Sequence, residues 1–259
     1  MIEFNRMTEN IKNKLAPMGV DVVAFDVADS TNTRAKMYAA DAADQTPVLF
    51  LAREQSAGRG RLGRSFISQP EGGIYMTLLY FVQGDLSGAV TVTTATAVAA
   101  ASAIESVTGE KMGIKWVNDI YNDHGKVAGI LVESLSVKNG YAVAVGIGIN
   151  VGVTEFPLEI RDVASSLGAL DADQKSQLVE SICKGILDHA THPQNKEYMS
   201  QYRRRFILQG KTVDIYVSDR FALRGVVDGV DDDGGLIVSH DETKTVFSSG
   251  EITVRSVKN

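Results

Sequence analysis

A single cysteine and five prolines in 259 residues set the first limits on this chain. One thiol excludes an internal disulfide and a thiolate metal cage, and it fits a reducing compartment. Cys183 sits in Leu178–Leu187, where apolar residues recur at helical spacing, so it is expected in the core and not as a nucleophile. A basic surplus is also missing. The net charge is −6, which argues against nonspecific DNA binding. The N-terminus, Met1–Arg6, lacks the apolar core of a signal peptide, and no run approaches transmembrane length. A cytoplasmic protein with no membrane partner is expected. There is no internal repeat and no low-complexity tail. What remains is ordinary globular material, 44% hydrophobic and 22% charged, long enough for one medium and one small domain.

Against that acidic background one segment stands out. Glu54–Phe66 reads Glu-Gln-Ser-Ala-Gly-Arg-Gly-Arg-Leu-Gly-Arg-Ser-Phe, with three glycines and three arginines interleaved. Glycine lets backbone N–H groups approach a ligand, and arginine brings a charged planar fork suited to carboxylates and phosphates. The segment predicts a bound small anion. Gly58, Gly60 and Gly63 also satisfy the dinucleotide pattern G-x-G-x-x-G, but that pattern must open a helix. Here Pro70 and Gly72-Gly73 form a turn and Ile74–Phe81 reads as a strand, so the dinucleotide fold is rejected. Gly210-Lys211-Thr212 imitates the end of a P-loop, but Arg205 stands where its first glycine belongs.

The chain divides near residue 207. Before it, the expected elements are a helix over 8–18, a strand at Val22–Val27, a helix capped by Ser30 and running to about Ala43, and strands at Val48–Ala52 and Ile74–Phe81. A buried Ala/Thr-rich helix follows over Ser87–Val107, then strands at Ile114–Val117, Val127–Glu133 and Tyr141–Ile149, with turns at His124-Gly125 and Asn139-Gly140. Helices close this part over 173–190 and 197–205. The fold class is α+β, a mixed and mostly antiparallel sheet with helices on one side. After 207, five short strand candidates at Thr212–Val217, Phe221–Val230, Leu236–Ser239, Lys244–Phe247 and Ile252–Val257 predict a small β-barrel. The expected domains are therefore 1–207 and 208–259. Asp231-Asp232-Asp233, followed by two glycines, reads as a solvated turn.

Asp29-Ser30-Thr31-Asn32, Gln55–Arg64, Lys115-Trp-Val-Asn-Asp119, Lys126–Glu133 and Gly146-Ile-Gly-Ile-Asn150 occur in an order and spacing that resemble the biotin protein ligases. Ser249–Arg255 resembles the end of that family's small SH3-like barrel. The resemblance implies a two-step reaction. Biotin and ATP give biotinyl-5′-AMP with magnesium bound, and the biotinyl group then passes to a lysine of a biotin carboxyl carrier protein. It puts Ser30, Thr31, Asn32 and Gln55 on biotin, with Arg59 and Gly60 close by. It puts Arg61, Arg64 and Lys126 on the carboxylate and α-phosphate, and Phe66, Lys115, Asn118 and Asn150 on the nucleotide. Arg61, Lys126 and Asp119 become the catalytic set, with Asp119 the magnesium or transfer-step carboxylate. The chemistry fits on its own terms, since two anions must meet against repulsion and fixed cations lower that barrier. Lipoate–protein ligase is the second reading, and the Gly-Arg-Gly-Arg loop argues against it.

Two departures from the family pattern are visible. Val117 replaces a proline, and Phe66 stands where a tryptophan is frequent. Some family members carry an N-terminal helix-turn-helix. Fewer than thirty residues precede Asp29 here, too few for that domain, so the enzyme-only form without DNA binding is expected. The sequence leaves open whether two copies pair through a sheet edge.

Overall fold

The structure, a computed structural model, describes residues 1–42, 44–70, 72–83, 89–248 and 252–256. Helix α1 (Ile2–Leu15) starts earlier than periodicity suggests. A 3-10 turn over Ala16–Met18 takes in Pro17, and Gly19 ends it at φ +67°, the left-handed position glycine favours. Then come β1 (Asp21–Ala28), α2 (Thr31–Asp41), β2 (Val48–Gln55), β3 (Gly73–Val82), α3 (Ala89–Thr108), β4 (Gly113–Lys115), β5 (Asp119–Asn122), β6 (Gly125–Val137) and β7 (Gly140–Asn150). Strand β5 has no counterpart among the strands expected from the sequence. The expected helix starts and ends at Ser87 and Ala43, and the barrel residues Ser249–Glu251 and Val257, fall outside the described residues.

The seven strands order as β1-β2-β3-β7-β6-β5-β4. Strands β1 and β2 are parallel, joined through α2, and the other pairings are antiparallel. Helices cover both faces, which corrects the one-sided arrangement. Helix α1, α3 and α4 (Ala172–Thr191) share a core with Leu49, Leu51, Met76, Leu78, Val143 and Val145. Helix α2 lies opposite, where Ala35 and Ala39 pack with Val48, Phe50, Leu79, Ala142 and Ala144. The reason lies in the strands. Both parities of β2 and β7 are apolar, the mark of a sheet buried on two faces.

Helix α3 corrects another expectation. Val90–Thr108 is long and apolar enough to cross a membrane by length and composition. In this fold it is a core helix, with 61% of that window buried inside the protein. Its small residues allow close packing, since a Cβ on Gly185 of α4 would come within 2.7 Å of the Ala99 Cβ. Cys183 is fully buried in that layer, and burial pushes its thiol far above the ordinary range, which keeps it unreactive.

Helix α5 (Tyr198–Arg205) leads to strands β8 (Thr212–Val217), β9 (Arg220–Val230), β10 (Leu236–His240), β11 (Thr243–Phe247) and β12 (Ile252–Ser256). They form one antiparallel sheet in the order β11-β10-β9-β8-β12. Its inner residues Val213, Ile215, Val227 and Val238 join the same core as Trp116 and Tyr202, so packing runs unbroken across residue 207. The indole Nε1 of Trp116 donates to the Gly234 carbonyl at 2.9 Å. Asp231 closes the acidic turn by accepting from the backbone of Asp233 and Gly235.

Candidate active site

The site lies where the strands under α2 lose their side chains. Register places Gly148 beside Gly129 and Tyr75, and Gly146 beside Thr77 and Leu131. These glycines form a floor that other groups occupy. A Cβ on Gly148 would stand 2.5 Å from the Phe66 ring, and one on Gly146 would stand 1.9 Å from Asn32 Oδ1. Above this floor a cavity of about 190 Å³ opens. Arg59, Arg61, Arg64, Lys115 and Lys126 line it, against one carboxylate, Asp119. On a chain of net charge −6 this is a concentrated positive well.

The loop folds back on itself over the cavity. Phe66 N–H donates to Gly58 O at 2.9 Å and Gly60 N–H to Arg64 O at 2.7 Å. A Cβ on Gly58 would come within 2.3 Å of the Phe66 carbonyl, so the hairpin requires glycine there. A 3-10 turn over Arg61–Gly63 forms its tip. Arg61 turns inward, and its Nη1 lies 3.4 Å from Asn118 Oδ1. Burial draws the Arg61 guanidinium below its ordinary pKa, with Asp119 opposing and Arg64 adding to the fall. Lys115 follows the same pattern. Burial lowers it, Asp119 resists, and Lys126, Arg64 and Lys211 push further down. Both cations are held where an anion is needed. The Lys115 ammonium also lies over the Tyr121 ring, 5.9 Å from its centroid.

Lys126 and Asp119 form an ion pair, Nζ to Oδ1 at 2.7 Å, although the angle is too poor for a directed hydrogen bond. The Lys126 backbone is gripped on both sides. Its N–H donates to Val163 O and its carbonyl accepts from Ser165 N–H, each at 2.8 Å. The lysine at the head of an apolar strand thus has a carboxylate partner.

At the other end stands a buried polar chain. Ser30, Thr31, Asn32 and Thr77 are all buried. Ser30 occupies the N-cap of α2, but its side chain makes no capping hydrogen bond, which corrects the capping expectation. Gln55 Oε1 instead accepts from the Thr31 backbone at 2.8 Å, and its Nε2 donates to Ser68 Oγ at 3.1 Å. Thr77 Oγ1 donates to Asn32 Oδ1 at 2.6 Å and lies 2.8 Å from Thr31 Oγ1. Asn32 Nδ2 reaches Leu131 O and Glu133. Asn32 therefore lines the cavity with its polar atoms already engaged by the protein.

Most of the sequence-predicted residues converge. Ser30, Thr31, Gln55, Gly60, Phe66, Asn118 and the charged groups above all line one cavity. Asn150 is not brought there. It is buried, and its Nδ2 donates to Ser165 O at 2.9 Å. Asn118 faces inward on one side, while its Nδ2 holds Ile130 O at 2.8 Å. Sequence reasoning missed Thr77, because a threonine within an apolar strand carries no signal of its own. It missed the wall supplied by Val254 of β12, which lies far along the chain. Glu133 ends a motif segment but carries no role in the sequence pattern. The Trp116–Val117 peptide, at the proline replacement, is cis.

A two-faced sheet with a glycine-floored, arginine-lidded anion well defines a ligase fold of a known class. The Biotin/lipoate A/B protein ligase family matches residues 24–150. The biotin–[acetyl-CoA-carboxylase] ligase of Paracoccus denitrificans is 30% identical, covering 86% of this chain and 96% of that protein. The Mycobacterium tuberculosis enzyme of the same name is also 30% identical, over 90% and 88%. The Aquifex aeolicus biotin protein ligase, solved with biotin and ATP, superposes with a TM-score of 0.77 at 28% identity, covering 92% of this chain and 99% of that one. The chain belongs to the biotin protein ligase family, and it is a ligase.

Proposed function

We propose that this chain activates biotin with ATP and transfers it to a lysine of a carboxyl carrier domain. The observation that carries this is the cation cluster over a glycine floor, five basic side chains to one carboxylate. In the first step a biotin carboxylate oxygen forms a bond to the α-phosphorus of ATP. The bond to the β-phosphate oxygen breaks and pyrophosphate leaves. Arg61, Arg64, Lys115 and Lys126 hold the carboxylate and phosphates together and stabilise the charge that develops between them. Phe66 closes over the base, and Asn118 steadies Arg61. Ser30, Thr31 and Gln55 hold the neutral ureido ring, with Arg59 and Gly60 at its edge and Asn32 supporting them. In the second step the carrier amine attacks the acyl carbon, AMP departs and a proton is lost. Asp119 accepts that proton in this reading, once Lys126 turns to the adenylate. The folded loop keeps water from the mixed anhydride.

Among the described residues no group of three or more His, Cys, Asp or Glu side chains is placed to hold a metal. Among the described residues, Asp119 alone offers a carboxylate in the cavity. That fits a magnesium ion arriving with the nucleotide and held mainly by phosphate oxygens. The ion would neutralise polyphosphate charge. ATP and carrier lysines point to a cytoplasmic setting.

Biotin-dependent exchange of labelled pyrophosphate into ATP tests the reading. Exchange with biotin and not with lipoate is expected, and exchange with lipoate alone would overturn it.

A further inference from the structure

Glu133 lies outside the cavity lining, yet three cavity elements meet on it. It sits on β6 two residues beyond Leu131 and four beyond Gly129, so its side chain shares their face of the sheet. From α2, Asn32 and Lys36 reach it one helical turn apart. Lys36 Nζ lies 2.6 Å from Oε1 and Asn32 Nδ2 lies 3.0 Å from Oε2. From the loop, Arg59 Nη2 stands 3.9 Å from Oε1. Burial alone would raise the Glu133 carboxyl, but Lys36, Asn32 and Arg59 together hold it below the ordinary range. The geometry is uneven. The two α2 contacts are short and well shielded, with side-chain exposures of 28% for Lys36 and 20% for Glu133. The Arg59 contact is long, and its side chain is 51% exposed.

We propose that Glu133 is a positioning residue that couples the glycine–arginine loop to the ureido-binding end of the cavity. It fixes Asn32, and through Asn32 the Thr77–Thr31 hydroxyl pair, while drawing Arg59 toward the sheet. When ligand fills the cavity the Arg59–Glu133 pair shortens, and the loop closes over the biotin end. The carboxylate acts through these neighbours and does not touch the reacting atoms. This rests on the proposed biotin-activating function and names how that site closes.

The test uses the full-length protein in biotin-dependent pyrophosphate exchange, with release of preformed biotinyl-AMP followed separately. Glu133→Gln retains an acceptor for Asn32 but loses the charge that pairs with Lys36 and Arg59. The expected result is a biotin KM raised about tenfold, adenylate release several times faster, and exchange at saturating biotin within about twofold of wild type. Arg59→Gln changes an exposed side chain that does not support the core. It is expected to raise adenylate release similarly, and the double variant to be no faster than the worse single one. Additive effects, an unchanged KM in Glu133→Gln, or a loss confined to the saturated rate would overturn the inference. If Glu133→Gln fails to fold, unchanged adenylate release in Arg59→Gln alone overturns it. Wild-type protein that shows no biotin-dependent exchange would instead defeat the functional reading beneath it.

Discussion

Strands β3 and β7 present two unlike halves on the face they turn to α2. At one end Leu79, Ala142 and Ala144 are buried under Ala35 and Ala39 of α2, beside Phe50 of β2. At the other end the positions in the same alternation are Thr77, Gly146 and Gly148, opened to a cavity and crowded with cations. The pleat is the same and the pairing register runs through both. The first half stabilises the fold, since each fully buried large aliphatic side chain contributes about 1.5–3 kcal/mol. The second half works against it. Removing side chains forgoes packing, and burial holds Arg61 and Lys115 below their ordinary pKa values. A sheet that is uniformly good at folding has no room for two anions. The site is thus made by interrupting the core and placing charge in the gap.

The largest expected effect comes from removing charge there. Lys126→Ala takes away a preorganised cation and leaves Asp119 without its partner. Adenylate formation should fall about 100–1000-fold, or ~2.7–4 kcal/mol of transition-state stabilisation. Single-turnover formation of biotinyl-AMP reads this, and a rate within threefold of wild type would place the chemistry elsewhere. Next is filling the gap. Gly146→Ala forces a methyl group into Asn32 Oδ1, and overpacking of this kind costs about 1–3 kcal/mol. Biotin binding by calorimetry should weaken strongly. The reverse exchange at the apolar end, Ala144→Gly, should lower thermal stability and leave biotin affinity alone.

Arg61→Gly should act on retention more than on synthesis. Free biotinyl-AMP should appear in solution and label bystander lysines, and unchanged retention would count against Arg61 as the adenylate clamp. The smallest effect tests the cost of the well. Lys115 is a base whose folded pKa is depressed, so its charged form opposes folding at neutral pH, and this penalty fades as pH rises through that lowered value toward the unfolded one. Lys115→Met should therefore raise the Tm of the ligand-free protein slightly at pH 7 and shrink the Tm gain caused by ATP. A fall in ligand-free Tm would show that the charge is fully compensated.

The same division explains how much of this was legible in the sequence. The apolar half writes itself as strand patterns, and Ile74–Phe81 and Tyr141–Ile149 fall inside β3 and β7. The five short strands after 207 were legible for the same reason. The loop was legible because glycine and arginine seldom alternate without a ligand to explain them. What the pattern could not show was depth. Thr77 looks like any strand threonine until Asn32 and Thr31 are seen above it. Asn150 ends a strand as expected but spends its amide on Ser165, a contact across fifteen residues that no local signal announces. Apolar residues on both parities of β2 were available to show that helices cover both faces.

The most direct measurement is a crystal structure of the protein grown with biotin, ATP and magnesium. An acyl phosphate is expected within hydrogen-bond distance of Arg61 and Lys126, with Lys126 drawn away from Asp119. A bound adenylate whose phosphate lies outside the reach of both side chains would contradict it.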